Sequence, residues 1–101
     1  MKWYHYIFCF LGGAFVANFV PHFVHGISGE MFPTPFANPP GRGMSPATVN
    51  VLWALSNLIV GYLLLWKGRF SFAKHVTLIV AFIGFAAMAI NLSIVFAGVV
   101  K

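Results

Sequence analysis

Residues 76 to 100 read VTLIVAFIGFAAMAINLSIVFAGVV, a run of 25 positions without Asp, Glu, Lys or Arg. As an α-helix rising about 1.5 Å per residue, such a run can cross a hydrocarbon core of about 30 Å. Residues 7–24 and 47–66 form two further runs of this kind. None of the three alternates with the period of two that a membrane β-barrel requires. The sequence therefore predicts an all-α integral membrane protein, a single domain over residues 1–101 with three transmembrane helices at about 7–24, 47–66 and 76–100.

The overall composition excludes a water-soluble class of protein. The chain is 60% hydrophobic and only 7% charged, whereas soluble domains have about a quarter of their residues charged. The net charge of +5 comes from six Lys and Arg residues, and they form no basic cluster with interleaved aromatics of the kind that binds nucleic acid. We therefore expect the lipid bilayer to be a partner and expect no nucleic acid.

The positions of the basic residues predict an orientation. Lys67, Arg69 and Lys74 crowd the short connection between the second and third runs, and Lys2 lies at the N-terminus. Because positive residues collect on the cytoplasmic side of a membrane protein, this connection and the N-terminus are expected to be cytoplasmic. The first loop and the C-terminus are then expected on the outer side.

The connection between the first and second spans, residues 25–46, is long and unusual in composition. It holds five of the six prolines, four glycines and the only acidic residue, Glu30. Prolines stiffen the backbone, and Phe32 and Phe36 offer apolar surface that a solvated linker does not need. We expect a long ordered Pro/Gly-rich loop that folds back over the outer ends of the helices, with Ser45 as the N-cap of the second helix.

Polar residues recur at helical spacing within the spans. The first span carries Asn18, His22 and His25, the second carries a stripe of Asn50, Ala54, Asn57 and Gly61, and the third carries Gly84, Ala87, Asn91 and Gly98. An amide in hydrocarbon needs a hydrogen-bond partner, so the stripes are expected to face one another, either as interhelical contacts alone or as an outward-facing polar pocket. The pocket candidates are Asn18, His22, His25, Glu30, Asn57 and Asn91.

Small residues let transmembrane helices approach closely. The third span has a second small stripe, Ala86, Ala89, Ser93 and Ala97, nearly opposite its first. Two such faces favour a third helix sandwiched between the bundle and another subunit, although Ala and Gly are frequent in membrane helices generally. The expected helix-packing residues are Gly13, Ala17, Gly61, Gly84, Ala89, Ser93 and Ala97.

Metal binding is an alternative use of the polar residues, because His22 and His25 lie three positions apart and Glu30 could supply a third ligand. The chain has no CxxC or HExxH motif to support a metal site, so no cofactor is expected. Enzymatic signatures are absent: the chain has no Asp, hence no Ser-His-Asp constellation, and no phosphate-binding loop. We expect no catalytic residues and no enzyme.

The run PHFVHGISGEMFPTPFANPPG, followed by SPATVNVLWALSNLIVGYLL, resembles a group of small bacterial inner-membrane proteins without an assigned activity. The resemblance covers roughly residues 14–66 and implies a bacterial source and a three-span inner-membrane protein. With the orientation expected from the basic residues, the first loop and the C-terminus would be periplasmic. The expected function is that of a non-enzymatic accessory or scaffold subunit that packs against other membrane helices, as a homo-oligomer or in a larger complex. The alternative is a binding protein or small pore that uses the polar pocket for a metal, proton or small solute.

Overall fold

Three long helices dominate the structure, a computed structural model that describes residues 1–99. They are α1 (Trp3–Ile27), α2 (Ala47–Lys67) and α3 (His75–Ala97). Each is long and apolar enough to cross a membrane, so the prediction of an all-helical chain with three candidate spans is confirmed. The predicted end of the third span, Val100, lies outside the described residues.

Helix α1 extends further than the sequence predicts. It continues through Pro21 as far as Ile27, whereas the first span was expected to end at Val24. His25 therefore belongs to the last turn of α1 and not to the loop, which begins at Ser28. The proline does not end the helix, because neighbouring helices can hold a transmembrane helix together where proline removes a hydrogen bond.

Helix α1 is the central helix of the structure. It packs along both α2 and α3, while α2 and α3 make few direct contacts with each other. Within this chain α1 is therefore the helix that lies between two others: it carries glycine and alanine on two faces, and those faces receive α2 and α3. The prediction that the second small-residue face of α3 meets another subunit concerns a partner outside this chain and stays a prediction.

Glycines set the closest helix approaches. A Cβ on Gly13 would overlap the carbonyl oxygen of Ala81, and one on Gly84 would overlap the carbonyl oxygen of Phe10. At these two glycines the backbones of α1 and α3 are in direct contact. On the other side of α1, a Cβ on Gly61 would lie only 3.2 Å from the carbonyl oxygen of Gly12. Close backbone approach of this kind is how small residues hold membrane helices together.

The loop between α1 and α2 contains a short antiparallel strand pair, β1 (Phe32–Pro33) and β2 (Met44–Ser45), in which Phe32 pairs with Ser45. The sequence did not indicate these strands. Between them, the amide of Gly41 donates to the carbonyl of Thr34 at 2.8 Å, and Gly41 has a φ of 76° that favours glycine. The hydroxyl of Ser45 bonds to that of Thr34 at 2.6 Å. Ser45 is therefore not the helix cap, a position that Pro46 occupies without a side-chain hydrogen bond.

Candidate functional site

Asn50, at the first turn of α2, is the centre of a buried polar network. Its side chain is completely inaccessible to solvent. The amide nitrogen Nδ2 lies 3.0 Å from the carbonyl oxygen of Phe32, 3.1 Å from that of Ser45 and 3.2 Å from that of Pro46. One side chain thus links both strands of the loop to the start of α2.

The other end of the Asn50 amide fixes His22 of α1. Oδ1 of Asn50 lies 2.8 Å from Nδ1 of His22, and His22 is 2% exposed. Because three carbonyl oxygens surround Nδ2, the amide orientation is determined, and Oδ1 can only accept. Nδ1 of His22 must therefore carry the proton, which leaves Nε2 of the neutral ring as a hydrogen-bond acceptor.

Aromatic side chains enclose the His22 ring. Phe32, Trp53 and Phe96 approach it edge-on, with ring centroids 5.4, 6.3 and 6.2 Å away. They come from the loop, α2 and α3 in turn, so every part of the structure contributes to this environment. The polar imidazole of His22 is therefore surrounded by aromatic side chains, at the end of the molecule where the loop lies.

Asn18 of α1 and Asn57 of α2 form a second polar contact, on the same side of α1 as His22. Nδ2 of Asn18 donates to Oδ1 of Asn57 at 2.9 Å. Nδ2 of Asn57 donates in turn to the carbonyl oxygen of Trp53 at 2.8 Å. Asn57 is 1% exposed, and its amide is therefore used within the protein, whereas Asn18 keeps its Oδ1 free of any hydrogen bond within residues 1–99.

Asn91 does not join the other two amides. Its side chain is exposed, and the expectation that all three asparagines converge is wrong for this residue. Gly84, on the same stripe as Asn91, lies against the backbone of α1. Further along α3 an open groove separates the two helices, and its lining includes Leu92 and Phe96 but not Asn91.

His25 and Glu30 form a separate pair at the rim of the structure. Nδ1 of His25 lies 2.8 Å from Oε1 of Glu30, and the two side chains are 33% and 60% exposed. The His25 ring also stacks on Phe32, with centroids 4.3 Å apart and planes 13° apart. This pair is partly solvated, and exposed ion pairs of this kind contribute little to stability.

The structure does not bring His22, His25 and Glu30 to one point. The Nδ1 atom of His22 bonds to Asn50, whereas that of His25 bonds to Glu30. Among residues 1–99, no three His, Cys, Asp or Glu side chains are grouped so that they could hold a metal ion. The remaining histidines, His5 and His75, lie at the N-terminal ends of α1 and α3, away from His22 and His25.

An open groove of about 520 Å³ separates α1 from the C-terminal half of α3. Three of the expected packing residues on α3, Ala89, Ser93 and Ala97, line this groove and remain exposed. Ala17 of α1 lies at its base and is 3% exposed. The groove walls are otherwise apolar, formed by Val20, Pro21, Phe32, Phe85, Leu92 and Phe96, with His25 at the rim.

Sequence reasoning did not single out Asn50, Trp53 or Thr34 as members of the site. Asn50 had a usable signal, because it lies seven residues before Asn57 and thus on the same helical face. No feature of the sequence indicated Trp53 or Thr34. A tryptophan near the end of a span is typical of an interface residue, and the sequence does not predict the strand pair that buries Thr34.

Comparison of the chain with known protein families, with curated proteins and with solved structures finds no match. The network around Asn50 and His22, the Asn18–Asn57 pair and the α1–α3 groove are therefore interpreted from their geometry alone.

Proposed function

We propose that the chain is a bacterial inner-membrane protein that acts, without enzymatic chemistry, as an accessory subunit packed against the helices of a larger membrane protein. Its bacterial origin follows the resemblance of residues 14–66. Insertion is supported by the large apolar side chains that the helices leave exposed, among them Leu52, Ile59, Phe82 and Ile94, which are 60% to 70% exposed. Such surface is stable against lipid and unstable in water.

The proposed orientation rests on the turn between α2 and α3. Lys67, Arg69 and Lys74 lie in or beside this turn, which would be cytoplasmic together with the N-terminus. The loop between α1 and α2 and the C-terminal end of α3 would then face the periplasm. The ordered Pro/Gly-rich loop, tied to α2 by Asn50, would form the periplasmic cap.

The α1–α3 groove is the observation that carries the accessory role. Ala89, Ser93 and Ala97 recur every four residues, so their small side chains form one continuous strip along α3. A helix seated on this strip could approach α3 closely, although less closely than α1 does at Gly84, where no Cβ is present. The groove is open, and we infer that a transmembrane helix of another protein occupies it.

The chemistry of the chain supports a packing role over a catalytic one. Glu30 is its only acidic residue and is exposed beside His25. Cys9 is 0% exposed and bonds through Sγ to the carbonyl oxygen of Gly68, at the end of the molecule away from His22.

Site-specific photo-crosslinking in native membranes tests this proposal. A photoreactive amino acid at Ser93, in the groove, should give a discrete adduct with a larger membrane protein. The same amino acid at Ile94, one residue later and 70% exposed on the face turned away from α1, should give mainly lipid adducts. Equal, diffuse labelling at both positions would show that the groove is not a docking surface. An adduct with only a second copy of the chain would indicate self-association and contradict the accessory role.

A further inference from the structure

A second hollow, distinct from the α1–α3 groove, lies beneath the loop at the outer end of the helices. Its volume is about 150 Å³. α1, α2, α3 and the loop all contribute to its wall, and the residues that the argument uses are Asn18, His22, Thr34, Trp53, Val95 and Phe96. A cavity of about this volume can hold a molecule of the size of benzene.

The polar groups in the wall have defined roles. His22 donates through Nδ1 to Asn50, so its Nε2 is an acceptor and bonds to no other described residue. Asn18 donates through Nδ2 to Asn57, so its Oδ1 is a second acceptor without a protein donor in the described residues. Thr34 is already bonded to Ser45.

Trp53 supplies a donor. Its indole Nε1 is buried and has no hydrogen-bond acceptor within residues 1–99. Leaving a buried donor unpaired costs about 1–3 kcal/mol, and such groups in a folded protein usually have a water or ligand as partner. The residues that line the cavity therefore include one with an unused donor and two with unused acceptors, and others among them, including Val95 and Phe96, are apolar.

We propose that this cavity binds a small uncharged molecule of about the size of phenol that carries a hydroxyl or amino group on an apolar ring. A hydroxyl can donate to His22 Nε2 and accept from the Trp53 indole, while the ring fills the apolar part. No charged side chain lines the cavity, which disfavours ions, because a buried charge without a partner is costly. A single available imidazole nitrogen is also too few ligands for a metal.

The test uses the full-length protein in nanodiscs, with phenol and benzene as probes. Nitrogen-15 NMR would follow the Trp53 indole N–H and the imidazole nitrogens of His22. Phenol should shift both sets of signals in a saturable manner, at about tenfold lower concentration than benzene or less, since each added hydrogen bond is worth up to about a factor of ten. Trp53→Phe retains an aromatic ring but removes the donor, so it should weaken phenol binding several-fold and narrow the difference between phenol and benzene.

Trp3→Phe is the matched control, because Trp3 is 72% exposed at the opposite end of α1 and its replacement should leave phenol binding unchanged. If Trp53→Phe does not fold, the His22 signals of the wild-type protein still decide the matter. Equal affinity for phenol and benzene, or shifts that rise without saturation as both probes enter the lipid, would overturn the proposal. An unshifted His22 signal at saturating phenol would overturn it as well.

Discussion

Replacing Asn50 with leucine is the sharpest perturbation that the structure offers, because leucine has the same number of side-chain heavy atoms, branched at the same carbon, and no hydrogen-bonding group. The change removes the two hydrogens that Asn50 shares among the carbonyl oxygens of Phe32, Ser45 and Pro46. It also removes the acceptor for Nδ1 of His22. At about 1 kcal/mol net for each of three hydrogen bonds, the loss should be about 3 kcal/mol in the free energy of unfolding.

Asn91→Leu is the matched control, because it makes the same chemical change at an exposed asparagine for which no side-chain hydrogen bond is found within residues 1–99. It should change the free energy of unfolding by less than about 0.5 kcal/mol. Both variants can be compared with wild type by equilibrium unfolding in mixed micelles, with tryptophan fluorescence and far-UV circular dichroism as probes.

Hydrogen exchange adds a local measurement to the same pair of variants. The amides of Gly41 and Gly43 are bonded within the loop, to Thr34 and Pro39. Asn50→Leu should release their protection, since it detaches the loop strands from α2, whereas the helix amides should remain protected. Equal stabilities for Asn50→Leu and Asn91→Leu, with the loop amides unchanged, would refute the view that Asn50 holds the loop in place.

Two further predictions concern the helix crossing and the topology. Gly84→Ala should destabilise the protein by about 1–3 kcal/mol, because the new Cβ meets the backbone of α1. Gly98→Ala should be neutral, because no atom lies within 4 Å of its Cβ. Equal effects of the two substitutions on thermal unfolding would contradict the close crossing. In a variant without Cys9, a cysteine that replaces the exposed Ser28 should react with an impermeant maleimide added to spheroplasts. A cysteine that replaces the exposed Ala73 should react only after permeabilisation. The reverse pattern would contradict the proposed orientation.

The helices could be predicted from the sequence because membrane insertion imposes a simple rule on it. A run such as residues 76–100 must be apolar over about 20 positions and must satisfy its own backbone, and a helix does both. The end of α1 was less predictable. A proline at position 21 indicates a helix end in general, and whether the helix continues depends on neighbouring elements that the local sequence does not specify.

The polar site was only partly predictable, for a reason that lies in the tertiary structure. Helical spacing shows which residues share a face, and it placed Asn18 and Asn57 on facing stripes that the structure joins by a hydrogen bond. It does not show which face meets which partner. Gly84 lies against α1, but Asn91 on the same stripe is exposed, and the strip with Ser93 lines the groove instead.

The loop was the least predictable part of the chain. Its prolines and phenylalanines indicate a folded segment, but the strand pair and its attachment to Asn50 depend on contacts between residues more than ten positions apart. Ser45 illustrates the difficulty. Its position before Pro46 is typical of a helix cap, and the structure uses its hydroxyl for Thr34.

The mass of the particle that carries this chain in native membranes tests the accessory role most directly. Wild-type protein, extracted with its surrounding lipid by an amphipathic polymer and measured by native mass spectrometry, should appear in a complex well above twice the 11.1 kDa mass of the chain. Ser93→Trp, which fills the groove, should release the chain from that complex, whereas Ile94→Trp should leave it bound. A wild-type chain found only as an 11.1 kDa monomer, unaffected by either substitution, would contradict the account.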